Sequence, residues 1–212
     1  MDCKATVNLG EYSRGGKTRG ENQALDHDFG TVGKSTPCGI LDEDSGQLYL
    51  HFGCSYKTSD FMVDNLQIWW ESLPIVEQQA TVLIQLKIDN GPESSGIRTQ
   101  FLRRMVDFAD AIGIPIQLLY YPPYHSKYNP IERCWGILEQ HWNGTLLRDI
   151  QTLLAWAQSM TWKGIHPIVW LNNKIYPKGI SLSKQEMRPI ESRLERNPEL
   201  PKWDVLIQPT NG

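Results

Sequence analysis

The run Tyr121-Pro122-Pro123-Tyr124-His125-Ser126-Lys127-Tyr128-Asn129-Pro130-Ile131-Glu132-Arg133-Cys134-Trp135 restricts the fold more than any other stretch of the chain. It closes a strand-like segment, stiffens a loop with adjacent prolines and opens a helix. Asn129 suits the N-cap, Pro130 the first helical position, and Glu132 the third. One reading of Glu132 is a capping box, its carboxylate reaching back to the N-cap amide. The other is a functional carboxylate held at a loop–helix junction. Trp135, four residues after Ile131, reads as a core residue rather than a stacking platform.

The segments around this run alternate between strand and helix patterns. Thr6–Leu9 alternates briefly, and Gln47–Phe52 alternates apolar and polar positions as a half-buried strand does. Asp60–Ser72 reads as an amphipathic helix with Phe61, Leu66, Ile68 and Trp69 as contacts. Thr81–Ile88 is apolar and β-branched, and Asp89-Asn90-Gly91-Pro92 stops it sharply. Gly96–Ile112 reads as a helix, Ile114–Tyr120 as a strand, and a further helix runs from Pro130 to about Trp142. This order predicts an α/β fold, a mixed sheet covered by helices on both faces. Thr81–Tyr120 forms a strand–helix–strand unit, for which a right-handed parallel crossover is expected. Both strands then end on one edge of the sheet, where sites in such folds lie. Asp89 ends the first strand, and the loop to Glu132 leaves the second.

The tail is less regular. Asp149–Thr161 predicts a helix, and Trp162–Trp170 resists a periodicity assignment. Ser183–Arg196 reads as a helix kinked or split at Pro189, Asn197–Pro201 as a turn or linker, and the last residues as frayed. Trp156, Trp162, Trp170 and Trp203 are expected to pack this tail onto the domain. The resulting division is an α/β domain over residues 1–145 and a helical C-terminal extension over 146–212.

Composition removes several function classes. A chain of 212 residues can bury one sizeable core. No apolar run is long enough to span a bilayer, so no membrane partner is expected. Cys3, Cys38, Cys54 and Cys134 are scattered without zinc spacing and read as reduced thiols of a cytoplasmic protein. The formal net charge of −3 argues against a dedicated, strongly basic nucleic-acid binder. Charge is nonetheless clustered. Arg14, Lys17 and Arg19 share a glycine-rich turn, Lys127 and Arg133 flank Glu132, and Arg98, Arg103 and Arg104 follow Asp89. Carboxylates beside cations suit a metal site that faces a polyanion.

Two-metal phosphoryl transfer needs several carboxylates converging from separate elements, because Mg²⁺ takes oxygen ligands. Asp89 and Glu132 are placed for this by the topology, although Asp-Asn-Gly is also a common strand-ending turn. Candidates for a third acid are Asp2, Asp26, Asp28, Asp60 and Asp64. Asp60 and Asp64 lie one turn apart on a helix, where surface acids are ordinary.

Several motifs carry a family resemblance. Asn129–Trp135, preceded by a Tyr-Pro-Pro run, resembles the third-carboxylate motif shared with mariner-type transposases. Asp89-Asn90-Gly91-Pro92-Glu93 resembles the second-aspartate motif, and Asp2-Cys3-Lys4-Ala5 the first. Ser13–Lys17, Ala24–Phe29, Tyr124–Lys127 and Arg193–Pro198 resemble the Rhodopirellula-type branch of the DDE transposases of bacterial insertion sequences. The resemblance implies a ribonuclease-H-like fold and Mg²⁺- or Mn²⁺-dependent cutting and joining of DNA, with two ions held by Asp2, Asp89 and Glu132 and no small-molecule cofactor. It implies DNA contact by Arg14, Lys17, Arg19, His125, Lys127 and Arg133, partners that are transposon ends and target DNA, and a homo-oligomer. In the family an apolar strand leads into the first aspartate and a helix-turn-helix region lies upstream, whereas here only Met1 precedes Asp2. A shortened first strand and a missing N-terminal region are therefore expected, with the Met1 ammonium opposing a nearby cation. The alternative function is an inactive remnant that binds DNA or full-length transposase.

Overall fold

A computed structural model describes residues 1–11, 33–122, 125 and 128–210. In chain order the elements are β1 (Asp2–Cys3), β2 (Val7–Leu9), β3 (Gly33–Leu41), β4 (Leu48–Gly53), α1 (Ser59–Ser72), α2 (Ile75–Ala80), β5 (Ile84–Asp89), α3 (Thr99–Ile112), β6 (Ile116–Tyr121), α4 (Pro130–His141), α5 (Ile150–Ser159), β7 (Ile168–Asn172), α6 (Lys184–Glu191), β8 (Leu194–Arg196) and β9 (Asp204–Ile207). They divide into two compact units. One holds Asp2–Tyr56 and Pro130–Ile175, the other Met1, Lys57–Asn129 and Tyr176–Gly212.

The first unit is built on a mixed sheet in the order β1-β3-β4-β7, with β2 also on β3. β1, β2 and β4 run antiparallel to β3, and β4 pairs parallel with β7. β3 is the longest strand, yet its sequence, Gly-Lys-Ser-Thr-Pro-Cys-Gly-Ile-Leu, carries few strand signals. Its proline has a structural reason. Cys3 pairs with Cys38 and Val7 with Ser35, so residues 4–6 oppose only residues 36–37. The extra residue makes a bulge, and Pro37 lies opposite it, where a missing N–H is tolerated.

The α4 stripe Ile131, Cys134, Trp135 and Leu138 packs with Leu48, Leu50 and Phe52 of β4 and with Leu153 and Ala157 of α5. A Cβ built on Gly39 would lie 2.8 Å from Ile131 Cδ1 and 2.8 Å from the Trp135 ring, so only glycine lets α4 approach β3 this closely. Contrary to the half-buried pattern expected of β4, all six of its residues are buried. The reason is that both faces are covered: Leu48, Leu50 and Phe52 pack with residues of α4 and α5, and the Trp170 ring stacks on Tyr49 and His51. His51 is fully buried there, with both ring nitrogens lacking a hydrogen-bond partner, and its ring stacks on Trp170 at 4.8 Å.

The second unit carries the mixed sheet β5-β6-β9-β8. β5 and β6 pair in parallel from Ile84↔Ile116 to Asp89↔Tyr121, as the strand–helix–strand pattern predicts. α3 between them buries Phe101, Leu102, Met105, Val106, Phe108 and Ala109 and ends at Gly113, whose φ of 69° suits a residue without a Cβ. Asp60 and Asp64 of α1 are not surface acids. Arg104 of α3 reaches both, at 2.6 Å each, and Tyr176 donates to Asp64 at 2.9 Å. The tail also departs from expectation. Lys184–Glu191 is helical despite Pro189, Leu194–Arg196 is a strand, and Asp204–Ile207 is paired rather than frayed, because Val205 and Ile207 are fully buried. Mixed sheets with flanking helices and a helix-bearing C-terminal region make an α/β architecture consistent with a ribonuclease-H-like fold.

Two stability predictions follow from these contacts. Arg104→Met strands two half-buried carboxylates, so denaturant unfolding should show a loss of about 3 kcal/mol. Arg104→Lys should recover little of it, because one ammonium cannot span both acids. Burial pushes the His51 pKa down to about 4 from 6.5, so the imidazole is neutral in the folded state. The unfolded chain binds the extra proton between these values. Stability from this residue is therefore complete above pH 6.5 and falls as pH drops towards 4, by up to about 3 kcal/mol. His51→Phe keeps the stacking and loses no hydrogen bond. It should be neutral or stabilising at pH 7.5 and should flatten the acid limb of midpoints measured down to pH 4.5.

Candidate functional site

Asp89 is the last residue of β5, and its backbone makes the turn that its sequence suggests. Its carbonyl accepts from Gly91 N at 2.8 Å and from Ser94 Oγ at 3.0 Å. The loop that follows is pinned again where Ser59 Oγ donates to the Glu93 carbonyl at 2.6 Å and Tyr120 OH to the Ser94 carbonyl at 2.9 Å. Turn formation thus draws on the main chain of Asp89. The half-buried Asp89 carboxylate accepts, through Oδ1, a long bond from Asn129 Nδ2 at 3.4 Å. Asn129, expected as an N-cap, is buried beside it. The Met1 ammonium donates to the Lys87 carbonyl at 2.9 Å, so this charge is engaged by β5 backbone.

Glu132 lies in the first turn of α4, half-buried, and Arg133 after it is exposed. Their positions are set by their neighbours. Ile131, Cys134, Trp135 and Leu138 fix the apolar side of the helix, which turns residues 132 and 133 to its margin. Burial pushes the Cys134 thiol up to about 12, which removes it as a nucleophile at neutral pH.

Asp2 begins β1 opposite Gly39. Its Oδ2 accepts from Trp135 Nε1 at 3.0 Å. Lys4, two residues on, pairs with Glu139 of α4 at 3.1 Å. The indole donor escaped the sequence reading because Trp135 also satisfies every criterion of a core residue. Its spacing of three from Glu132, on the same helical face, was the available signal.

The remaining candidates fall differently. His125 is exposed, with its ring stacked on Tyr128 at 5.7 Å. Arg14, Lys17, Arg19 and Lys127, together with Asp26 and Asp28, lie outside the described residues. Of the arginines after Asp89, Arg104 is committed to Asp60 and Asp64, Arg103 pairs with Asp107 at 3.2 Å, and Arg98 donates to the Ile180 carbonyl at 3.0 Å. They brace the fold.

Carboxylates have the hard-oxygen chemistry that Mg²⁺ or Mn²⁺ takes. Among the described residues, however, no group of three His, Cys, Asp or Glu side chains is placed to hold a metal ion. The donor types fit a divalent cation. No described helix is long and apolar enough to cross a membrane. Comparison with known proteins gives one assignment. Neither the curated proteins nor the solved structures provide a match to the chain. The family model of the Rhodopirellula transposase DDE domain matches residues 1–209, almost the whole length, and the chain therefore belongs to that family of DDE transposase domains.

Proposed function

We propose that this chain is the catalytic domain of a DNA transposase that cuts DNA strands at insertion-sequence ends and joins them to target DNA. Water displaces one oxygen of a phosphodiester at the element's end and frees a 3′-hydroxyl. That hydroxyl then displaces an oxygen of a target phosphodiester. The reading assigns Asp2, Asp89 and Glu132 as the carboxylates of the reaction and two Mg²⁺ or Mn²⁺ ions as its cofactors. His125 and Arg133 contact DNA phosphates, joined by Arg14, Lys17, Arg19 and Lys127. The working form is a homo-oligomer in the cytoplasm, and residues 1–145 and 146–212 act as catalytic domain and extension.

The observation that carries this reading is the near-complete family match, which takes in all three carboxylates. Their local settings support it: Asp89 at the carboxyl end of a strand in a parallel pair, Glu132 in the first turn of a helix, and Asp2 on a short strand against β3. The second reading is a non-catalytic chain that binds DNA or full-length transposase.

A nicking assay on duplex DNA carrying the element's ends, with Mg²⁺ or Mn²⁺, separates the two. Under the first reading, Asp2→Asn, Asp89→Asn and Glu132→Gln each lower the rate by on the order of 100-fold or more, about 3 kcal/mol of barrier. Removal of the divalent cation with EDTA abolishes the reaction. Nicking that survives the Asp89 and Glu132 substitutions together would show that these are not the reacting carboxylates. Tight DNA binding without any nicking would favour the second reading.

A further inference from the structure

Directly opposed residues in an antiparallel ladder put their side chains on the same face. Asp2 opposes Gly39, so its carboxylate is on the face where a Gly39 side chain would be. That face belongs to α4, since a Cβ on Gly39 would meet Ile131 Cδ1 and the Trp135 ring at 2.8 Å. The indole thus lies across the bare backbone of Gly39, 4 % exposed, with its rotamer set by core neighbours. From there its Nε1 reaches Asp2 Oδ2 at 3.0 Å.

An indole N–H is a donor only, and a buried one needs an acceptor. An aspartate on a two-residue strand has two side-chain torsions to fix, and its backbone does little to fix them. The bond satisfies both needs. It joins a rigid donor to a mobile acceptor, so orientation passes from the ring to the carboxylate. Trp135 follows Glu132 by three residues on the same helix. One helix therefore supplies a site carboxylate and the donor that aims another.

We infer that Trp135 is a positioning residue for Asp2. Its indole N–H commits Oδ2 and leaves Oδ1 for the reaction, and Gly39 is the residue that lets the ring reach this position. The inference rests on the assignment of Asp2 to the reacting carboxylates.

The test uses the full chain and two readouts. In ¹H–¹⁵N spectra the Trp135 indole N–H is assigned by its loss in Trp135→Phe. Asp2→Ala should move this resonance and speed its hydrogen exchange by about tenfold. Asp2→Asn keeps a side-chain oxygen acceptor and should keep the N–H protected, even though nicking is lost. In the nicking assay, a benzothienylalanine at position 135, with sulfur in place of the N–H and the ring shape kept, should lower kcat by about tenfold or more at unchanged KM for end DNA. An indole N–H indifferent to Asp2→Ala overturns the inference. So does a benzothienylalanine variant with parental kcat, since the bond would then only satisfy a buried donor. A parental chain that nicks no DNA removes the functional reading instead. The positioning role in the reaction then falls with it, and the exchange response decides the contact alone. Slow exchange in the parent and in the Asp2→Asn variant, with fast exchange in Asp2→Ala, upholds the Trp135–Asp2 bond, and uniform exchange across the three overturns it.

Discussion

The close approach of α4 to β3 over Gly39 is the contact on which the first unit depends. A methyl group there would lie 2.8 Å from both Ile131 and Trp135, well inside van der Waals distance. Because the glycine leaves that space, the stripe Ile131, Cys134, Trp135 and Leu138 sinks into the core beside Leu48, Leu50 and Phe52. With the helix held at this depth, the rest is geometry. Glu132 and Arg133 are carried to its margin, the Trp135 N–H meets Asp2, and Glu139 meets Lys4. Three consecutive N-terminal residues are held in place, Asp2 and Lys4 by one polar contact each to the helix, and Asp2 and Cys3 by backbone pairing with β3. A two-residue strand has too few ladder bonds to hold itself. Side-chain contacts supply the difference.

The second unit reaches its order by a different route. The parallel register of β5 and β6 ends at Asp89 opposite Tyr121, so the strand end is fixed by a ladder running the length of both strands. The helices beside it are joined by charge as well as by apolar contact. Arg104 sits between Asp60 and Asp64 with short contacts to each, and Tyr176 adds a bond to Asp64. Shielded ion pairs of this kind contribute little net energy over apolar packing, but they are costly to break from one side, which favours a single register between α1 and α3.

Much of this was legible in the sequence, and the reasons for the rest are specific. β5, β6, α1, α3 and the start of α4 obey local rules: β-branched runs, a 3.6-residue apolar period, a proline at the first helical turn. β3 does not, because its irregular residues serve neighbours distant in sequence. Pro37 accommodates a bulge against the N-terminal strand, and Gly39 makes room for a tryptophan almost a hundred positions later. β4 misled through His51, a polar residue buried in the middle of a sheet without hydrogen bonds. β9 is only four residues long, too short for its alternation to stand out from a tail. At the site the sequence revealed which acids to consider but not which partners they have. Asp60 and Asp64 differ from Asp2 and Asp89 only in what folding places beside them.

Those partners divide the acids by chemistry. Asp60 and Asp64 meet a guanidinium at 2.6 Å, and so does Asp110, which Arg193 and Thr210 hold well below the usual carboxylate range. A cationic partner stabilises the ionised acid and at the same time cancels its charge, which suits a brace. Asp2 accepts from an indole N–H and Asp89 from a primary amide. A neutral donor fixes the direction of an oxygen while the carboxylate keeps its negative charge. For an acid that must attract a cation or orient a reacting group, that is the more useful partner. The fold thus gives arginines to the carboxylates that hold helices together and a neutral N–H group to Asp2, one of the carboxylates that the family motifs single out. This difference in partners is a physical reason, independent of the motif match, to separate Asp2 from Asp60, Asp64 and Asp110.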